Sequence, residues 1–156
     1  MESSHYRDGV GLMLVNKEKK VWVGERLNMK GAWQMPQGGI DPNESASDTV
    51  ARELLEETGI DFKDVSVLAE SEQWLSFLWP EDLQKSLWEG YYIGQRLKWF
   101  LLQLNSGTDT TNLMGVHPEF SDYKWADVGE LFSMIVDFKK EMYHSVIQEF
   151  SWFFHD

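Results

Sequence analysis

The chain has 156 residues and no cysteine, which removes disulfides, thiolate metal sites and cysteine nucleophiles at once. Any metal must then be held by oxygen or imidazole. Basic residues are scarce, 14 Lys and Arg against 26 Asp and Glu, for a formal net charge of −12. That balance argues against broad binding to nucleic acid such as double-stranded DNA, because such affinity comes from cations displacing counterions at phosphates. No apolar run approaches the ~20 residues that cross a bilayer, and the start, Met1-Glu2-Ser3-Ser4-His5, has neither a basic region nor an apolar segment of the secretory kind. A cytoplasmic protein without membrane contact is expected. The four histidines, His5, His117, His144 and His155, are dispersed with no H-x-x-x-H spacing, which speaks against a histidine-held zinc. No G-x-x-x-x-G-K-[ST] loop occurs either, so phosphate cradling of the P-loop type is unsupported.

What is present is the balance of a soluble globular protein, 42% hydrophobic and 26% charged, at a length that suits one domain over residues 1–156. Gly9 to Asn16 reads as a buried strand, and Lys17-Glu18-Lys19-Lys20 as a turn into a second strand, Val21 to Glu25. Gly31, Pro36, Gly38, Gly39 and Pro42 mark a long structured loop from Asn28 to Asn43. Ser45 or Ser47 can cap a helix that runs to about Thr58 and ends at Gly59. Strands are expected at Val65 to Leu68, Trp74 to Leu78 and Tyr91 to Leu104, with an acidic linker at Pro80-Glu81-Asp82 and a polar loop from Asn105 to Pro118. A short strand at Tyr123 to Ala126 precedes two helical patterns, Val128 to Met134 and Phe138 to Phe153, the latter placing Met142, Val146, Ile147 and Phe150 toward a core. Strands interleaved with one helix and followed by C-terminal helices predict an α/β or α+β sandwich.

The most informative segment is Arg52-Glu53-Leu54-Leu55-Glu56-Glu57. On a helix advancing about 100° per residue, Glu53, Glu56 and Glu57 share one face while Ala51, Leu54, Leu55 and Thr58 share the other. Like charges at these spacings destabilise a helix by a few tenths of a kcal/mol per pair, a cost that a hard cation such as Mg²⁺ or Mn²⁺ offsets. Alone, E-x-x-E-E reads more readily as a solvated acidic face. The flanks decide otherwise. Gly38, Glu44, Arg52, Glu53, Glu56, Glu57 and Gly59, with Leu54 and Ile60 in the aliphatic places, spell G-x5-E-x7-R-E-U-x-E-E-x-G-U. At residue frequencies of ~5–10% each, chance would produce this in a chain of such length on the order of once in ten million, so coincidence is not a competitor. Gly38 and Gly39 let the backbone approach a ligand closely, and Arg52 is spaced to pair with an acid such as Glu44.

This is the signature of the Nudix hydrolases, and the chain is identified by it as resembling that family. The resemblance implies an α/β/α sandwich with a mixed central sheet. It implies Glu53, Glu56 and Glu57 as ligands of a divalent metal, Mg²⁺ or Mn²⁺, with the Gly38 carbonyl as a further ligand and an Arg52–Glu44 brace. Beyond the signature, Tyr6-Arg7, the run from Gly31 to Ile40, Gly94 to Leu102, Pro118-Glu119-Phe120, Trp125 and Phe138-Lys139 resemble the branch of bacterial RNA pyrophosphohydrolases and dinucleoside polyphosphate hydrolases. By that likeness Glu119 is a fourth acid at the metal site, and Arg7, Arg26 and Lys98 contact substrate phosphates. Gln37 and Gln95 hydrogen-bond substrate, while Phe138 and Phe77 offer surfaces for a base. The catalytic group is then Arg52, Glu53, Glu57 and Glu119, with the general base among the three glutamates.

Two substrates remain open, the 5′-triphosphate end of RNA and a dinucleoside polyphosphate such as diadenosine tetraphosphate. The basic C-terminal extension of some pyrophosphohydrolases is missing from Trp152-Phe153-Phe154-His155-Asp156, which with the net acidity leans toward the small dinucleotide. A non-catalytic nucleotide sensor on the same fold predicts loss of a metal glutamate, and none is lost. No protein partner is legible in the sequence.

Overall fold

The computed structural model describes residues 5–105, 109–115 and 118–155. The first strand, β1 (Tyr6–Val15), is buried on both faces: Val10, Leu12 and Leu14 point one way, Met13 and Val15 the other, all at 0% exposure. A strand so covered reads as a continuous apolar run because neither face meets water. It turns through residues 16–20, where Asn16 Oδ1 accepts from the backbone N–H of Glu18 and Lys20, into β2 (Val21–Arg26), its antiparallel partner. The expected hairpin is formed.

The punctuated loop carries two short strands, β3 (Trp33–Gln34) against β2 and β4 (Gln37–Gly39) against β1. After the glutamate helix α1 (Ala46–Thr58) come β5 (Val65–Glu70) and β6 (Leu75–Leu78). Both pair antiparallel with β7 (Gly94–Leu104), which runs parallel to β1 over its whole length, from Tyr6 beside Gly94 to Val15 beside Gln103. The last strand, β8 (Phe120–Ala126), lies on β2. Among the described residues these eight strands make one mixed sheet.

Two apolar layers flank it. Val50 and Leu54 of α1 pack with Val10, Leu12, Phe100 and Leu102 on one side. On the other, Met142, Tyr143 and Val146 of a C-terminal helix pack with Met13, Leu97, Trp99 and Leu101. The result is the expected α/β/α sandwich with a mixed central sheet. No described helix is long and apolar enough to cross a membrane.

Several boundaries differ from expectation. Pro80-Glu81-Asp82 opens a helix, α2 (Glu81–Ser86), and is not a linker. A proline at the start and acids in the first turn are helix-opening signals in their own right. The long helical pattern near the C-terminus divides into a 3₁₀ turn at Asp137–Lys139 and further helices. In chain order the helices after α2 are α3 (Leu131–Met134), α4 (Lys140–Glu149) and α5 (Ser151–Phe154). Gly107, Thr108 and His117 of the polar loop lie outside the described residues.

Candidate active site

Helix α1 is fixed at both ends. Ser45 accepts from Asp48 N–H at 3.1 Å while the Asp48 side chain accepts from Ser45 N–H, a reciprocal cap that selects Ser45 over Ser47. At the other end Gly59, at φ 80°, donates to the Leu55 carbonyl, a left-handed position that costs a glycine nothing. Between these ends the buried residues are Val50, Glu53, Leu54, Glu57 and Thr58 together with Thr49.

That stripe corrects the sequence reading in one respect. Leu55, grouped with Leu54 on the face opposite the glutamates, is 53% exposed, while Glu53 and Glu57 are 8% exposed. Positions 50, 53, 54, 57 and 58 follow the spacing of a core-facing helix, so two of the three glutamates lie on its buried face. Glu56 alone points outward. Burying an ionised carboxylate without compensation is costly, so the helix keeps these acids for a reason other than packing.

Beneath them runs β4. A Cβ at Gly38 would stand 1.9 Å from the Glu53 carboxyl carbon, and one at Gly39 would stand 1.3 Å from Nη1 of Arg7. A side chain at either glycine would displace the end of its neighbour, the Glu53 carboxylate on one face of the strand or the Arg7 guanidinium on the other. The Gly38 carbonyl oxygen lies against Gly9, 2.5 Å from where a Cβ there would be. Gln37 N–H donates to Glu57 Oε1 at 3.1 Å.

Arg52 forms the brace. Its Nε and Nη2 bind Glu44 Oε2 and Oε1 at 2.7 and 2.9 Å, and Nη2 also reaches the Gly39 carbonyl at 2.8 Å. Nη1 donates to Glu53 Oε2 at 3.0 Å and Glu56 Oε1 at 3.2 Å. The Arg52 hydrogen bond pulls the Glu44 carboxyl down to about 2, and the same contact raises the guanidinium. Burial pushes Glu53 up to about 7, against the pull of Arg52 and with repulsion from Glu56 and Glu119 adding to it. Glu57 is raised well above the carboxylate range, first by burial and then by the charges of Glu53 and Glu119.

A divalent ion fits this donor set in its chemistry: the donors are all oxygen, and two buried carboxylates have their negative charge disfavoured by their surroundings. Among the described residues no three acidic or imidazole side chains are gathered to hold an ion as they stand. Arg52 takes up an oxygen each of Glu53 and Glu56 instead.

The other expected residues divide between the two faces of the sheet, because neighbours along a strand point in opposite directions. Arg7 pairs with Gln95, and Gln95 with Phe77, so the three share the face that carries α4. Gln37 reaches the same face and donates to Gln95 Oε1 at 2.7 Å. The Phe138 ring packs on that of Phe77, centroids 5.8 Å apart, and both line a cleft of about 330 Å³ with Tyr6 and Met142. Phe77 is only 6% exposed and belongs to the core, so of the two rings half-buried Phe138 is the one with a face toward solvent. Lys98 is on the α1 face, its ammonium 3.2 Å from the Glu72 carbonyl and 3.8 Å from the Glu70 carboxylate, apart from Arg7 and Gln95. Glu119 is exposed, its carbonyl bound by Leu27 N–H at 3.0 Å, and its charge acts on both buried glutamates. A second cleft of about 460 Å³, between Glu70, Glu72, Glu149 and Trp152, holds none of the expected residues.

Sequence reasoning missed Lys139 as a site residue. It is 3% exposed, with Nζ donating to Gln34 Oε1 at 3.2 Å and Gln37 Oε1 at 3.1 Å and standing 5.2 Å above the Phe77 ring. Burial pulls it down to about 7, helped by the charge of Arg26 and opposed by Glu57 and Glu119. Next to it the hydroxyl of buried Tyr143 accepts from Met35 N–H at 2.8 Å. Nothing local distinguishes Lys139 from its exposed neighbour Lys140.

Fold and site together define a class: an α/β/α sandwich whose capped, core-facing helix sets buried carboxylates over a Gly-Gly strand. The sequence comparison names it. The family described as NUDIX domain matches residues 5–146, and the chain belongs to the Nudix family. Nudix hydrolases generally need a divalent metal. The chain is 42% identical over 146 residues to the RNA pyrophosphohydrolase of Rickettsia bellii, covering 93% of this chain and 89% of that protein. It is 39% identical over 151 residues to that of a Wolbachia strain from Culex pipiens, covering 96% and 92%. Among solved structures, the Ap4A hydrolase of C. elegans in a binary complex matches with a TM-score of 0.68 at 19% identity, over 94% of this chain and 97% of that one. The E. coli dihydroneopterin triphosphate pyrophosphohydrolase matches with a TM-score of 0.72 at 18% identity, over 92% and 98%. At those identities the likeness concerns the fold.

Proposed function

We propose that this protein hydrolyses phosphoanhydride bonds in nucleoside polyphosphates, with the 5′-triphosphate end of RNA as its substrate. The observation that carries the reaction class is the pair of buried glutamates, Glu53 and Glu57, held over Gly38 by the Arg52–Glu44 brace. The RNA end is supported by the relatives at 39–42% identity, which are RNA pyrophosphohydrolases by name.

Glu53, Glu56 and Glu57, with Glu119 and the Gly38 carbonyl, are assigned to a divalent ion, Mg²⁺ or Mn²⁺. When bound, such an ion neutralises phosphate charge and makes water a stronger nucleophile. The protein's own part is positioning and proton transfer. Arg52 keeps α1 against β4. A carboxylate raised to about 7, as burial raises Glu53, is suited to take a proton from attacking water near neutral pH. Arg7 and Arg26 supply the positive charge that an acidic chain must offer a polyphosphate locally. Phe138 provides an apolar face for a base.

A second reading, asymmetric cleavage of a dinucleoside polyphosphate, is favoured by the net charge of −12, which disfavours a long RNA more than a small dinucleotide. One assay decides between them: kcat/KM with a 5′-triphosphorylated RNA oligonucleotide and with diadenosine tetraphosphate, each with Mg²⁺ and with Mn²⁺. Faster release of pyrophosphate or phosphate from RNA supports the first reading. Faster formation of ATP and AMP replaces it with the second, and turnover of neither leaves a nucleotide-binding module.

A further inference from the structure

Lys139 is buried, and its ammonium is held without an ion pair to any described carboxylate. Among the described residues no acid lies within ion-pairing distance of Lys139, and its Nζ is spent on two glutamine carbonyls, Gln34 Oε1 and Gln37 Oε1. An amine donating to both settles the orientation of Gln37, whose amide could otherwise be turned either way. With its oxygen facing Lys139, the Gln37 nitrogen must point away. It donates to Gln95 Oε1 at 2.7 Å. The oxygen of Gln95 is therefore taken, and its Nε2 donates to no protein acceptor among the described residues.

The register says where that donor stands. Gln95 lies between Arg7 on one neighbouring strand and Phe77 on the other, beside the cleft lined by Tyr6, Phe77 and Phe138. It sits between the Arg7 strand and the edge of the cleft that half-buried Phe138 lines.

We propose that Lys139 is a positioning residue which, through Gln37, holds Gln95 with its N–H₂ outward and so matches the site to an acceptor-only group, an anionic oxygen of the substrate's phosphate chain. This rests on the reading of the protein as a nucleoside polyphosphate hydrolase. A lysine that merely filled space could be replaced by an apolar side chain of similar length without consequence for Gln95. A lysine that polarises the amide chain could not.

The test is Lys139→Met, which keeps length and removes the donor. In the ¹⁵N-labelled protein without substrate, the side-chain amide signals of Gln37 and Gln95 should move and lose protection from exchange while the backbone pattern persists. With diadenosine tetraphosphate or triphosphorylated RNA, whichever the wild type turns over, KM should rise about tenfold, the worth of one hydrogen bond to a charged group, with kcat within about twofold. In a Gln95→Leu background the same substitution should add nothing to KM. Unmoved amide signals, or losses that multiply across the two variants, overturn the proposal. A wild type that turns over neither substrate would remove the hydrolase reading, and the amide signals would still judge the relay. Should Lys139→Met fail to fold, Gln37→Met breaks the same chain in the middle and should shift the Gln95 amide alike.

Discussion

Arg52 grips Glu44 with two parallel hydrogen bonds, Nε to Oε2 at 2.7 Å and Nη2 to Oε1 at 2.9 Å, and so ties the loop before α1 to the middle of the helix. Arg52→Lys keeps the charge but cannot make the forked contact. It should lower stability by about 1–2 kcal/mol, the scale of a lost charge-assisted hydrogen bond in a partly exposed site. It should also lower turnover, because Glu53 loses its neighbour's hold. Urea denaturation beside a turnover assay measures both; a variant as stable as the wild type would show that the brace carries no load.

Glu57→Gln replaces a buried carboxyl with a neutral group of the same shape. Turnover should fall by about 10²-fold or more, as expected for loss of a metal ligand or proton acceptor. Stability in chelator should not fall, since no buried charge remains to be accommodated. A destabilised variant with normal activity would contradict both parts.

Gly38→Ala should lower turnover with little change in melting temperature, because it displaces only the flexible end of Glu53, and Gly129→Ala should change neither. A methyl at Gly38 would meet the Glu53 carboxyl carbon at 1.9 Å, whereas nothing lies within 4 Å of one at Gly129. Comparing turnover and melting temperature of the two variants separates a site effect from a general intolerance of glycine substitution.

The pH dependence of stability in chelator follows from buried groups of opposite sign, Glu53 and Glu57 on one side and Lys139 on the other. Glu53 is raised from 4.5 to about 7, so between those values the folded state holds a proton that the unfolded state has released, and stability falls as pH rises. Lys139 is lowered from 10.5 to about 7, so above pH 7 the unfolded state binds the extra proton and stability rises with pH. Each contribution is on the order of 1–3 kcal/mol. Denaturation curves from pH 5 to 9 should show a shallower falling limb in Glu53→Gln, with Glu57 still contributing, and should lose the rising limb in Lys139→Met. A divalent ion should restore more stability at pH 8 than at pH 5, because protonated Glu53 cannot ligate. Curves that these substitutions leave unaltered would refute the assignment.

Local chemistry made much of this protein legible. The Ser45 cap, the Gly59 stop and the glutamate spacing act within a few residues of one another, so they can be read in the chain. The same holds for the β1–β2 hairpin and for the Glu44–Arg52 pair. α2 was legible too, since Pro80, Glu81 and Asp82 are helix-opening residues, but their charge resembled that of a linker.

Sequence by itself determined that Glu53, Glu56 and Glu57 ride on one helix with glycines before and after it, and that no thiol or histidine cluster competes for a metal. Only the tertiary structure decided which of those acids are buried. The core-facing stripe of α1 is set by what packs on Val50 and Leu54, and that stripe takes in Glu53 and Glu57 while leaving Leu55 in water. It decided likewise that Lys139 is enclosed and Lys140 is not, and that Gln37, Gln95 and Arg7 share a sheet face which excludes Lys98. Those outcomes depend on the parallel register of β1 and β7, strands nearly ninety positions apart, and burial or dielectric at a side chain is made by its neighbours in space, which periodicity along the chain does not specify.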